Sequence, residues 1–116
     1  MPLSEKARIE VYFPDSAKPA YQELLDSLDR EFTYTFGGST IIRGLKGSYL
    51  DMLGQRVTDR INVRYTDTPF SLDQNFATLS RYTDQLRDAA FGALEEEAIL
   101  VVVIKVYHAK ATESAR

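Results

Sequence analysis

A chain of 116 residues, 44% of them apolar and with a net charge of −3, holds one domain and its core but not two domains. It has no cysteine, which excludes disulfides, thiolate metal sites and cysteine nucleophiles, and its one histidine makes a zinc site uncommon chemistry for it. The acidic balance argues against a general nucleic-acid binder, whose affinity comes from neutralising phosphates. The longest apolar run, Ala98 to Ile104, is far short of the ~20 residues that cross a bilayer. The opening MPLSEKARIEV has no apolar signal core, so the expectation is a soluble cytoplasmic protein.

Residues 7–13, ARIEVYF, alternate: Ala7, Ile9, Val11 and Phe13 share one strand face, Arg8, Glu10 and Tyr12 the other. Pro14-Asp15-Ser16 ends the strand. Ser16 reads as the N-cap of a helix with Pro19 in its first turn, and Tyr21, Leu24, Leu25, Leu28 and Phe32 form one helical stripe. Phe32, Tyr34 and Phe36 then alternate with threonines, which predicts extended chain before Gly37-Gly38. A second strand spans 39–50 and a third 56–66, joined by a short connection over Asp51 to Gln55 in which Gly54 takes a positive φ. In the third strand Val57, Asp59, Ile61, Val63 and Tyr65 share a face, and Arg56, Thr58, Arg60, Asn62, Arg64 and Thr66 share the other.

Thr66 to Pro69 breaks that strand. Ser71 with Gln74 matches a capping box, and Leu72, Phe76, Leu79, Leu86, Ala90 and Ala93 continue as a helical stripe. Glu95-Glu96-Glu97 opposes the helix macrodipole, so the regular helix is expected to stop before it. The last strand, 98–109, reads AILVVVIKVYHA, and KATESAR is a polar tail; the domain is taken as 1–110 with 111–116 outside it.

The order strand, helix, strand, strand, helix, strand implies an α+β fold. With right-handed crossovers it is the ferredoxin-like βαββαβ arrangement: a four-stranded antiparallel sheet with both helices on one face. At the level of pattern the chain resembles small bacterial α+β domains of unassigned function in which a Gly-rich segment precedes a hairpin. The last strand carries Leu100, Val102, Ile104 and Val106 on one face and Ile99, Val101 and Val103 on the other. Both faces call for cover, and two helices cover only one side. A homodimer, packed sheet to sheet or edge to edge as in dimeric α+β barrels, is the expected answer.

The stretch FGGSTIIRGLKGSYLDMLG holds five of the six glycines. It fails the P-loop spacing GxxxxGK[ST] and lacks GxGxxG. Its GLKG at 44–47 has the form of the KH-domain loop, but that loop joins two helices. Hairpin punctuation accounts for it better: Gly37-Gly38 for a turn, Gly44 and Gly47 for a bulge or close packing.

Charge is uneven. Residues 40–64 carry Arg43, Lys46, Arg56, Arg60 and Arg64 against Asp51 and Asp59, a balance of +3, while residues 65–97 have a balance of −5. Arg43, Lys46, Arg60 and Arg64 are therefore candidate ligands for a small anion, with Arg56 on the same strand face. Solvated charge, or pairing of a basic hairpin with an acidic helix between subunits, explains the same residues. His108 is the one side chain expected to titrate near neutrality without special help; as a catalytic base it would need a partner such as Asp15 or Asp67. Tyr12, Tyr49, Tyr65 and Tyr107 lie on strands and fit a core or a subunit seam better than base stacking. The expected function is a homodimeric binding or regulatory protein without a cofactor, taking an anionic small ligand or partner near the basic hairpin. The alternatives are a cofactor-free dimeric α+β barrel enzyme using His108 and nucleic-acid binding through the hairpin.

Overall fold

The computed structural model describes residues 3–94 and 99–109. The elements are β1 (Leu3–Pro14), α1 (Pro19–Phe36), β2 (Thr40–Leu50), β3 (Arg56–Asp67), α2 (Phe76–Leu94) and β4 (Leu100–Ala109). The sheet is antiparallel in the order β2-β3-β1-β4, which is the expected ferredoxin-like topology with β4 at an edge. The alternation of β1 decides where the core lies. Ala7, Ile9, Val11 and Phe13 are buried beneath Tyr21, Leu24, Leu25, Leu28 and Phe32 of α1 and Leu79 and Ala90 of α2. Each large apolar side chain in that layer contributes about 1.5–3 kcal/mol of transfer free energy.

Boundaries differ from the sequence reading at four places. β1 begins at Leu3 rather than at residue 7. The alternating segment 32–36 is the last turn of α1, not extended chain. Phe32 and Phe36 are also i and i+4, so they prolong the helical stripe, and Phe36 meets Phe32, Phe70 and Tyr82 at centroid distances of 6.4, 6.3 and 5.4 Å. Tertiary packing of these rings outweighs the β propensity of the threonines. Gly37, at φ 93, then caps the helix, and its amide donates to the Thr33 carbonyl. The N-cap of α1 is Lys18 rather than Ser16, because Pro19 occupies N1; the Ser16 hydroxyl instead accepts from the Lys18 amide at 3.2 Å.

The capping box forms by half. Ser71 Oγ accepts from the Gln74 amide at 3.4 Å, but residues 72–75 are turns and the regular helix begins at Phe76, whose ring is exposed. Ser71 Oγ is drawn away to Glu5 on β1, at 2.9 Å. Leu94 is the last helical residue described; Glu95 to Ala98 and the tail from Lys110 lie outside the described residues.

The β2–β3 hairpin is built as its glycines suggest. Gly44 (φ 69) sits in a bulge between the pairs Ile42↔Val63 and Leu45↔Ile61, where Arg43 and Gly44 oppose Asn62. Gly47 lies at ordinary contact distance from Ile61. β1 stops pairing with β3 at Pro14↔Ile61. From Lys46↔Arg60 to Leu50↔Arg56 the hairpin runs on as a two-stranded ribbon, about 15 Å long at the usual strand rise. Its tip is closed by Asp51, whose Oδ1 accepts from the Leu53 and Gln55 amides at 2.9 Å each, with Gly54 at φ 77.

Candidate functional site

The register places the two faces of β3 in an unexpected sense. Val11 pairs with Arg64, Ile9 with Thr66 and Phe13 with Asn62, so the polar side of β3 faces the helices together with the apolar side of β1. The apolar side, with Ile61, Val63 and Tyr65, lies on the open face of the sheet. This is the reverse of what alternation in β3 alone suggests, and it separates the four candidate cations.

Arg64 is enclosed, 8% exposed. Its Nη1 donates to Asp29 Oδ1 of α1 at 3.2 Å and to Ser39 Oγ at 3.1 Å, while its Nε has no hydrogen-bond partner among the described residues. Burial is the chief cause lowering its pKa; the Asp29 charge opposes this and the Arg43 charge adds to it. Asn62 is the neighbouring buried polar group. Its Oδ1 accepts from the Gly44 amide at 3.0 Å and its Nδ2 donates to Asp15 Oδ1 at 3.2 Å, so it holds the bulge to the end of β1.

Lys46 and Arg60 are register partners on the first row of the ribbon, and both are exposed. Arg43 is exposed in the bulge and Arg56 stands opposite Leu50 at the far end. Among the described residues, none of these four side chains has a carboxylate or other hydrogen-bond partner. The arrangement is thus a line of free cations along a projecting ribbon, with Arg64 behind it as an internally paired guanidinium. Direct cross-strand placement of an ammonium and a guanidinium is unfavourable by itself and favours a bridging anion.

His108 lies elsewhere, on the open face near the other edge of the sheet. Its Nε2 is 3.0 Å from Asp67 Oδ2. Asp67 is one of the two partners named from sequence; Asp15 instead binds Asn62. Arg8 completes the cluster: Nε donates to Asp67 Oδ1 at 2.6 Å, Nη2 to Oδ2 at 3.1 Å, and the guanidinium lies 4.2 Å from the Tyr65 ring centroid. The Arg8 hydrogen bond is the main cause that holds the Asp67 carboxyl below its ordinary pKa; burial works against it, and the charges of Arg8 and His108 support it. Sequence reasoning missed Arg8 because its cross-strand partner is 59 residues away. A cleft of about 290 Å³ lies beside this cluster, lined by residues 36–40 and by Tyr65, Thr66 and Asp67.

Among the described residues, no helix covers the open face. Leu100 and Ile104 of β4 and Ile42 and Leu45 of β2 are exposed there, with Ile104 the register partner of Arg8. Tyr12, Tyr49 and Tyr65 also belong to this face, whereas Tyr107, paired with Glu5, belongs to the helix side. No helix among the described residues is long and apolar enough to cross a membrane, and no cluster of three metal-ligating side chains stands among them.

Comparison with known proteins places the fold. No family model matches the chain, and no curated protein does. Solved structures do. CutA1 from Oryza sativa shares 18% identity over 97% of this chain and 87% of its own, with a TM-score of 0.56. The divalent cation tolerance protein CutA1 from Thermus thermophilus shares 14% over 96% and 90%, with a TM-score of 0.57. CPII from Thiomonas intermedia, solved with ADP, AMP and acetate, shares 17% over 95% and 94%, with a TM-score of 0.50. At these identities the likeness concerns architecture: the chain has the ferredoxin-like βαββαβ fold of the CutA1 structures.

Proposed function

We propose that this protein is a small regulatory binding protein that works as a homodimer and takes an anionic small ligand on the basic ribbon. The observation that carries this reading is the pairing of Lys46 with Arg60, flanked by Arg43, without a carboxylate on any of them among the described residues. Two cations held side by side by strand register form a preorganised clamp for phosphate or carboxylate. The CPII structure similar in fold was solved with nucleotides and acetate, all anions, which supports an anionic ligand class. Dimer formation through the open face would cover Leu100, Ile104, Ile42 and Leu45, whose exposure is costly on a long sheet edge.

Isothermal titration with ADP, AMP and acetate tests the ligand, and sedimentation velocity tests the dimer. Lys46→Ala with Arg60→Ala is expected to weaken ADP binding at least tenfold, since hydrogen bonds to charged groups are worth about 1.5–3 kcal/mol each. Equal binding by the double variant would sink the ribbon as the site. A steep fall of affinity for mixed-sequence DNA with salt, tighter than for any mononucleotide, would instead favour nucleic acid.

A second reading has its own observation, the His108–Asp67 contact beside Arg8. A carboxylate-oriented imidazole can serve as a general base, and a dimer over the open face would enclose it. An activity with a pH dependence near neutrality, lost in His108→Ala but retained in Lys46→Ala with Arg60→Ala, would establish the enzyme reading over the ribbon reading.

A further inference from the structure

Two surface features of the chain match one another. The first is the tip of the ribbon. Leu50 is 70% exposed, Leu53 83%, and Met52 fully so, three large apolar side chains at the end of a projection with no third strand. The tip is not loose chain. The Asp51 carboxylate accepts from two amides, the Asp51 amide donates to the Gln55 carbonyl at 2.9 Å, and the Gly54 amide donates to the Asp51 carbonyl at 3.0 Å. The tip's one carboxylate is engaged in that closed turn through Oδ1, and Arg56, opposite Leu50, has no ion-pair partner among the described residues. The tip is a rigid apolar knob with a cation beside it.

The second feature is a groove of about 370 Å³ between α1 and α2. Small residues leave the space between the helices unfilled there: Ala20 and Ser27 on α1, Ala89 and Ala90 on α2. Leu24, Leu28 and Leu86 form an apolar floor, and Glu23 and Glu31 stand on the rim. Glu31 is oriented by the hydroxyls of Tyr82 and Thr35, which donate to Oε2 at 2.7 and 2.9 Å. Glu23 has no hydrogen-bond or ion-pair partner among the described residues. The volume is in the range of natural ligand pockets, and its polarity is opposite to that of the ribbon.

We propose that the ribbon tip of one copy docks into the α1–α2 groove of a second copy, with Leu50, Met52 and Leu53 over the apolar floor and Arg56 against Glu23. Apolar knob meets apolar groove, and unpaired cation meets unpaired carboxylate, all on the same chain. The turn's backbone is already closed, so the ordering cost of docking falls chiefly on its side chains. Knob and groove are different surfaces, so the contact is either exchanged reciprocally within a two-fold dimer or runs head-to-tail into a ring or an open chain. It leaves Lys46 and Arg60, at the base of the ribbon, free for an anion, so docking and ligand binding can fail independently.

The test is a photo-crosslinking amino acid, benzoylphenylalanine, in place of Met52 of the purified full chain, with the crosslinked peptides mapped by mass spectrometry. Intermolecular crosslinks to residues 20–31 or 86–90 are expected, falling about tenfold when Ser27→Trp fills the groove. Circular dichroism shows whether that variant folds. If it does not, Glu23→Arg gives the same loss, and adding Arg56→Glu on the ribbon restores the crosslink. Crosslinks confined to the sheet face, no crosslinks at all, or a yield indifferent to both groove variants overturns the proposal.

Discussion

Arg64 offers the sharpest test of how charge is used in this protein. It is 8% exposed, its Nε finds no acceptor among the described residues, and its two Nη1 bonds, at 3.1 and 3.2 Å, are at the long end of the useful range. An unsatisfied buried donor costs about 1–3 kcal/mol. Against this stands an ion pair whose Asp29 side chain is 51% exposed, so solvent reduces its value toward the 0–1 kcal/mol typical of surface pairs. The Ser39 bond adds about 1 kcal/mol. These opposing terms nearly cancel. Arg64→Met, which keeps the apolar stem and removes the charge, is therefore expected to change unfolding free energy by no more than about 1 kcal/mol in either direction. Asp29→Ala removes the acceptor but leaves the buried cation, and is expected to cost about 1–3 kcal/mol. The assay is urea denaturation followed by circular dichroism, with the m-values compared to confirm that both variants unfold in the same way. ADP titration of Arg64→Met supplies the functional half; affinity within threefold of wild type is expected. A loss of more than 2 kcal/mol in Arg64→Met, with Asp29→Ala harmless, would falsify this reasoning, because the guanidinium would then be stabilised by something other than its visible partners.

Other expectations follow from single contacts. Asn62→Leu removes the acceptor of the Gly44 amide and the donor to Asp15; it is expected to destabilise by about 2–3 kcal/mol and to raise hydrogen exchange at Gly44, and an unchanged exchange rate there would show that the bulge does not depend on Asn62. Gly37→Ala places a side chain at φ 93 and is expected to cost about 1 kcal/mol, read as a lower melting temperature; its Cβ would meet nothing within 4 Å, so backbone strain is the cost expected, and an unchanged melting temperature would refute it. Asp67, with its pKa depressed, contributes stability above its unfolded value of 3.8 that is lost as pH falls below it through the folded pKa; Arg8→Met should flatten that acid limb, and an unaltered limb would show that the pair is not what depresses Asp67. Tyr82, raised by burial first and by Glu31 second, contributes stability below pH 10 that is lost at higher pH, and Tyr82→Phe should remove that alkaline limb.

The elements themselves were legible in the chain. Alternation in β1, the stripe of α1, the turn at Gly54 and the bulge at Gly44 follow from local rules of backbone and side-chain geometry, and together they imply the βαββαβ topology. The candidate site was legible only as a list of charges. Period-two patterning shows which residues of β3 share a face but not which face a helix will cover. That is decided by pairing with β1, which sets Val11 beside Arg64 and so turns the polar side of β3 inward and its apolar side outward. The same register draws Arg64 into the interior, leaves Lys46 and Arg60 side by side on the ribbon, and lets Arg8 reach Asp67 from a position 59 residues earlier. Residue types and their spacing are properties of the chain; which of them meet is a property of strand register and packing, because contacts between distant residues form only when the sheet is assembled.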